Sequence, residues 1–389
     1  MKKNLTSPVV RMLQALIMIF GCLTAQAQTV VEPANAPEDG ALHGMTIYLK
    51  NNTQKTYTAD QLQRVTYLPG IGMKVYTKDS DTSVDYLYSQ MTKIDYAYTN
   101  ANANWKTFSR TDFPYANRLE YPHMTDNVCP TKEGAEQKSQ IIVKQTEDFG
   151  LTYSVEWDNS LIANRWSCYA LHAGNTLSKT DRSDGFMPDE EAAVSSQLED
   201  YTSSGFSRGH LCPSADRQCS EEQNLQTFYL TNMQPQWQNH NGVLWKNLED
   251  LVRKYATDVT ATKATCDTLY VVKAATITDK VTIGGTKIEG IYPDRCKGRG
   301  TNELIVPKYF YMALLHFNKA TNTYKAIAFW TLHENTKDTN KNYGDYAYSI
   351  DELEQRTGID FFCNLPDEIE NAVEAEVDLE FWKLTKTAQ

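Results

Sequence analysis

The chain has 389 residues, a formal net charge of −11 and 11% aromatic residues, with 23 tyrosines. That length allows one large domain with a small companion, and the aromatic content suits strands and excludes a disordered chain. The acidic balance argues by bulk charge against a nucleic-acid partner. Seven of the acids, however, lie in one stretch from Asp367 to Glu380 without Lys or Arg, and a phosphate responds to the local field, not the total charge.

Residues 1–27 read as an export signal. Lys2, Lys3 and Arg11 precede an apolar run from Met12 to Leu23, too short to span a bilayer comfortably, and Ala25-Gln26-Ala27 supplies small residues at a cleavage spacing. A secreted or periplasmic protein is expected. Lipoprotein anchoring at Cys22 is disfavoured by the bulky Phe20, and no later run reads as transmembrane. Without Cys22, seven of the eight cysteines remain, an odd number. Cys266 and Cys296 flank a predicted hairpin and are candidates for a disulfide. The absence of C-x-x-C gives a structural zinc site no support.

Residues 28–42, rich in Pro, Ala and acids, read as a linker. Residues 43–100 read as a small β-rich accessory module. Its segment Tyr57 to Tyr67 aligns with Tyr86 to Tyr96, an internal match of two alternating stretches. Residues 101–140 are polar and contain Pro114, Pro122 and Pro130, as a connector would.

The main domain is expected over 141–365. Strands are predicted at 151–157, 166–171, 227–231, 269–277, 309–317 and 325–332. A helix is predicted from about Gly242 to Thr257, with Leu244, Leu248, Leu251, Val252 and Tyr255 at helical spacing, and another over 350–357. Strands mixed with long helical connections give an α+β class. Residues 366–389 read as a solvated acidic tail.

Two segments carry chemistry. The first is Ser207-Arg208-Gly209-His210. On an extended strand Arg208 and His210 share a face, and Gly209 leaves room for a close approach. An Arg neutralises a phosphate and a His takes a proton near neutral pH. Alone, Arg208-Gly209-His210 reads better as a surface Arg and a structural His. The second runs from Asn232 through Pro235-Gln236 to Asn241, Trp245 and Glu249. Positions four apart drift slowly round a helix, so the Asn241 amide and the Glu249 carboxylate share a cleft, and both are hard oxygen donors suited to Mg²⁺. Read singly, Asn241 is a helix cap and Glu249 an exposed charge.

Together these segments resemble the DNA/RNA non-specific endonucleases, the ββα-metal family that includes endonuclease G. The resemblance rests on Arg208-Gly209-His210, Asn232, Pro235-Gln236, Asn241, Trp245 and Leu248-Glu249. It covers about 140–365 and not the accessory module. It implies a ββα-metal fold with a central antiparallel sheet and hydrolysis of DNA and RNA phosphodiesters to products ending in 5′-phosphate. It further implies His210 as general base, Asn241 as the one direct ligand of Mg²⁺ (with Mn²⁺ as a substitute), and Glu249 acting on the metal through water. Asn232 would support the site, and Arg208 would hold the phosphate with Arg182. Contacts would run through the phosphate backbone, which carries no base information.

Ser207 stands where the family pattern has Asp, and position 207 points away from His210 on an extended strand. Arg295, Lys297 and Arg299 form a basic loop that reads equally as a backbone track or a solvated turn. His240 reads as incidental, and His316 and His333 as structural. Two other functions fit the same sequence: a catalytically degenerate nucleic-acid-binding homologue, and a surface-interaction protein served by the N-terminal module. The oligomeric state is left open.

Overall fold

The structure is a computed structural model that describes residues 44–387 apart from 59–60, 69, 81 and 97–102. The export segment and the linker lie outside the described residues. The chain divides into two compact units, 1–99 and 100–389.

In the first unit the strands are β1 (Gly44–Leu49), β2 (Gln54–Thr58), β3 (Leu62–Leu68), β4 (Gly72–Thr77), β5 (Val84–Leu87) and β6 (Met91–Tyr96). They form two three-stranded antiparallel sheets, ordered β2-β1-β6 and β3-β4-β5. The internal match explains this layout. Met45 pairs with Tyr57 and Tyr96, and Met73 pairs with Tyr86 and Tyr67, so each copy lends its last strand to the sheet of the other. The matched Tyr57 and Tyr86 hydroxyls meet at 2.7 Å within a core of Met45, Ile47, Leu62, Met73, Val75 and Met91.

The second unit begins with α1 (Asn104–Thr107), β7 (Ser139–Thr146), β8 (Gly150–Asp158) and β9 (Ala163–Leu171). There come next α2 (Leu198–Tyr201), β10 (Ser207–His210), α3 (Glu221–Gln226), β11 (Met233–Gln236) and α4 (Lys246–Thr257), which is entered through a π-helical turn over His240–Trp245. The remaining strands are β12 (Thr268–Ala275), β13 (Lys280–Ile283), β14 (Thr286–Glu289), β15 (Cys296–Lys297), β16 (Glu303–Leu304), β17 (Tyr309–Asn318), β18 (Thr323–Leu332) and β19 (Ala347–Tyr348). The last two helices are α5 (Ile350–Thr357) and α6 (Asp367–Glu374).

A seven-stranded antiparallel sheet, β19-β18-β17-β12-β9-β8-β7, forms the centre. Both of its faces are covered, so its inner strands are apolar almost continuously. On β12, Leu269, Val271 and Ala275 pack with Leu248, Val252 and Tyr255 of α4 on one face. Tyr270, Val272 and Ala274 pack with Ile350 and Leu353 of α5 and with Phe361 on the other. The class is α+β with a central antiparallel sheet, as expected.

Several sequence expectations are corrected. Residues 227–231 are not a strand. Thr227 ends α3, its hydroxyl donating to the Asn224 carbonyl at 2.7 Å, and the alternating apolar residues Phe228 and Leu230 are buried in a turn. The segment read as a connector lies against the sheet, with Phe113, Ala116, Tyr121 and Met124 in the core. The acidic stretch is no solvated tail: it forms α6, buries Glu370 and Glu374, and returns Phe381 and Trp382 to the core on the α4 face. Cys266 and Cys296 do not pair with each other, and they sit in different apolar clusters.

Trp382 is 1% exposed and packs edge-on against Tyr255 at 4.8 Å. Trp382→Ala is expected to cost about 3–5 kcal/mol of stability, read from denaturant unfolding. A loss below about 1 kcal/mol would show that this segment is not part of the core.

Candidate active site

β10 and β11 pair antiparallel, with His210 opposite Met233 and Arg208 opposite Pro235, and the helical turn comes directly after, which makes a ββα unit. Asn232, just before β11, is fully buried. Its Oδ1 accepts from the Cys212 amide at 2.8 Å and the Ser167 hydroxyl at 3.2 Å, and its Nδ2 donates to the carbonyls of Cys212 and Thr227. One amide therefore ties the end of β10, the α3 turn and β9 together, and it has no capacity left for a ligand.

Gly209 is needed for packing between the paired strands, not for an approach from outside. A Cβ there would meet the Gln236 side chain, with Oε1 at 2.1 Å and Cβ at 2.7 Å. Gln236 Nε2 lies 2.7 Å from His240 Nδ1, and His240 Nε2 lies 3.1 Å from the Thr331 hydroxyl on β18. His240, incidental to chemistry by the sequence reading, thus fastens the hairpin to the sheet. His333 is likewise structural, with Nδ1 on the Pro307 carbonyl and Nε2 accepting from the Trp237 amide. His316 Nε2 lies 3.3 Å from the Ala264 carbonyl.

His210 is 8% exposed, and its Nε2 is enclosed without a hydrogen-bond partner. Its ring leans on Phe186 and Phe228, centroids at 5.6 and 5.0 Å. The same two rings carry the arginines: the Arg208 guanidinium lies 4.1 Å from the Phe186 centroid, and that of Arg182 lies 4.9 Å from Phe228. Cation–π contacts of this kind hold the two charges beside the imidazole. The Arg182 loop is fixed from behind, since the Ser183 amide donates to Asn224 Oδ1 at 2.8 Å. Burial, then the charges of Arg182, Lys273 and Arg208, push the His210 pKa down to about 3.

Sequence reasoning misses Lys273. It is fully buried on β12, its Nζ makes no hydrogen bond, and it stands 3.6 Å from Glu249 Oε1. A single Lys inside the apolar run Leu269 to Ile277 is the signal that could have found it, because a lysine is almost never fully buried without a partner. Beneath Glu249, Asp216 accepts from the Tyr169 hydroxyl at 2.7 Å and pairs with Arg253 at 2.6 Å. Burial pushes the Glu249 carboxyl up to about 7, against the opposing pull of Lys273.

Trp245 connects the helix to His210, its indole donating to the His210 carbonyl at 3.3 Å. Asn241 precedes it by four residues and Glu249 lies four beyond it. The spacing is not purely α-helical, because the Lys246 amide bonds the Asn241 carbonyl five residues back, and π-turns of this kind recur at functional sites. An amide oxygen and a half-buried carboxylate fit a hard divalent cation. The unsatisfied Glu249 Oε1 and Lys273 Nζ are polar atoms that a hydrated ion and a phosphate would satisfy. Ser207 donates to Gln238 Oε1 at 2.5 Å and so joins β10 to the loop before Asn241. In the basic loop Arg295, Lys297 and Arg299 are not buried, and Lys297 pairs with Glu303 at 3.0 Å.

This His-bearing hairpin and helix make a ββα arrangement. The sequence description of the DNA/RNA non-specific endonucleases matches residues 132–368, and the chain belongs to that family. A nuclease of Nostoc sp. is 29% identical over 234 residues, covering 58% of this chain and 76% of that protein. The mitochondrial nuclease EXOG of Danio rerio is 25% identical over 55% of this chain and 60% of its own length. The mitochondrial nuclease of Saccharomyces cerevisiae is 26% identical over 51% and 59%. The chain thus spans about three-fifths of these mitochondrial relatives. A solved complex of EndoG with EndoGI superposes with a TM-score of 0.47 at 22% identity, covering 58% of this chain and 88% of that one.

The packing at Gly209 and His210 can be tested directly. Gly209→Ala is expected to destabilise the fold by about 1–3 kcal/mol through overpacking, with Gln236→Ala restoring much of the loss in the double variant. Equal losses with and without Gln236 would contradict the clash. By NMR of the metal-free protein, His210 is expected to stay neutral down to about pH 4, because burial and three cations oppose its protonation. A non-cleavable phosphodiester should raise its pKa and leave His240 and His333 unmoved. A free-protein value near the ordinary 6.5 would refute the burial.

Proposed function

We propose that the chain is an exported, metal-dependent endonuclease that hydrolyses phosphodiester bonds of DNA and RNA with little sequence selectivity. The observation that carries this reading is the convergence of Arg182, Arg208 and Lys273 on one buried imidazole, with Asn241 and Glu249 on the adjoining helix. A positive pocket inside an acidic protein suits an anionic substrate. Export rests on the pattern of residues 1–27. No described helix is long and apolar enough to cross a membrane.

His210 is the general base. With Nε2 enclosed, Nδ1 is the nitrogen assigned to accept the proton of the attacking water. Its low basicity in the free protein suits this role: a phosphate bound by Arg182 and Arg208 offsets their charges and returns basicity as the substrate arrives. The two guanidiniums orient the phosphate and balance the charge that grows on its oxygens. Lys273 compensates the half-buried Glu249 carboxylate, and Asn232 holds the hairpin in register. Asn241 would hold Mg²⁺ or Mn²⁺ directly and Glu249 through water, and the ion would stabilise the departing oxygen. Ser207 in place of Asp supports the loop before Asn241 through Gln238.

His210→Ala is expected to lower plasmid cleavage by at least roughly 10²–10⁴-fold while the protein stays folded and still binds DNA. Asn241→Ala is expected to raise the Mg²⁺ needed or eliminate turnover. Single-turnover cleavage with and without chelator checks both. Full activity in chelator would refute the metal, and an inert wild type that binds DNA would favour a degenerate binding homologue.

A further inference from the structure

On the sheet face opposite α4, helices α5 and α6 bring four carboxylates together. The sequence accounts for the placement. Ile350 and Leu353 are buried against the sheet, with Asp351 and Glu354 three apart beside them, while α6 presents Glu370 and Glu374 one turn apart. One carboxylate oxygen from each of Asp351, Glu354 and Glu374 lies within 4.8 Å of the other two. Glu370 is 6% and Glu374 5% exposed, and each buries an Oε1 without a hydrogen-bond partner. One Glu354 oxygen accepts from the Phe361 amide at 2.7 Å, which fixes its carboxylate.

The charges that act on Glu374 are those of Glu354, Glu370, Asp360 and Asp351, all acidic. The neighbouring Arg356 lies instead over the rings of Tyr348 and Trp330, at 3.8 and 5.3 Å. Left to themselves the carboxyls hold protons, burial and mutual repulsion pushing Glu354 and Glu370 up to about 8 and Glu374 to about 10. Buried charges are expected to be paired or to coordinate metals.

We propose that Asp351, Glu354 and Glu374 bind a calcium ion that fastens α6 to α5, a structural site separate from the centre at Asn241. An all-oxygen, mostly carboxylate cage is calcium chemistry, since Mg²⁺ demands a tighter octahedron and keeps most of its water. At Ca–O distances of about 2.3–2.6 Å, two ligands of one ion stand at most about 4.6–5.2 Å apart, and the three oxygens fall within that limit. Glu370 supplies further negative charge beside the ion. By fixing α6, the ion holds the stretch that leads to Phe381 and Trp382.

The test uses the full chain, stripped with chelator and kept in excess Mg²⁺ so that the Asn241 centre is satisfied. Calcium chloride is titrated by calorimetry, and thermal unfolding is measured with and without it. The wild type and Asn241→Ala are expected to take up one Ca²⁺ and gain thermal stability. Glu374→Gln is expected to bind roughly tenfold more weakly or worse, because affinity depends on ligand charge, and to lose the calcium-dependent gain. Asp351→Asn, at the half-buried rim, serves as the second variant should Glu374→Gln fail to fold. No calcium uptake by the wild type, or undiminished uptake by both carboxylate variants, overturns the proposal.

Discussion

The candidate site depends on one saturated side chain. Asn232 spends both lone-pair directions and both amide hydrogens on Cys212, Thr227 and Ser167. It thereby fixes a short two-stranded hairpin, too small to be stable alone, to the central sheet. The partners lie on three separate segments, so their relative positions are set together. Loss of Asn232 would leave several buried groups unsatisfied at once, each costing about 1–3 kcal/mol. His210 inherits its position from this clamp, from Trp245 and from the fit of Gln236 over Gly209. The placement of this imidazole and the stability of the fold are one constraint here.

The electrostatics depend on that geometry. The net charge of −11 says little about the pocket, where two arginines rest on phenylalanine faces and a third cation is buried on the sheet. Aromatic supports hold a guanidinium without neutralising it, unlike a carboxylate partner. The site therefore retains uncompensated positive charge, and this, with burial, depresses His210. Lys273 and Glu249 stand close but beyond hydrogen-bond reach, so each keeps capacity for another partner.

Much of this is legible in the sequence. Arg208, His210, Asn232, Asn241 and Glu249 fall on the strand, turn and helix positions that their spacing suggests, because local periodicity reports local structure. Long apolar runs mark the inner strands of the seven-stranded sheet. Long-range packing is not legible. Thr227 to Thr231 carries a strand's composition, yet its hydroxyl and carbonyl bonds close a turn. Phe186 and Phe228 are distant in sequence and become one support only in the fold. Gly209 signals a close approach, but the approaching group is the neighbouring strand's Gln236. The acidic stretch near the C-terminus misleads because a charge count cannot show that Glu370 and Glu374 turn inward, or that Phe381 and Trp382 return to the core.

The accessory unit has a different bearing on how the chain is assembled. Met45 near the start of β1 lies directly opposite Tyr96 at the end of β6, so the unit's entry and exit points sit on neighbouring strands, about 5 Å apart between paired Cα positions. Because the third strand of each copy belongs to the other's sheet, neither half retains a complete sheet alone, and the unit should be gained or lost as a whole. A closed element with adjoining ends is portable: it can be excised, or spliced into an exposed loop of another protein, with little stretching of the host backbone.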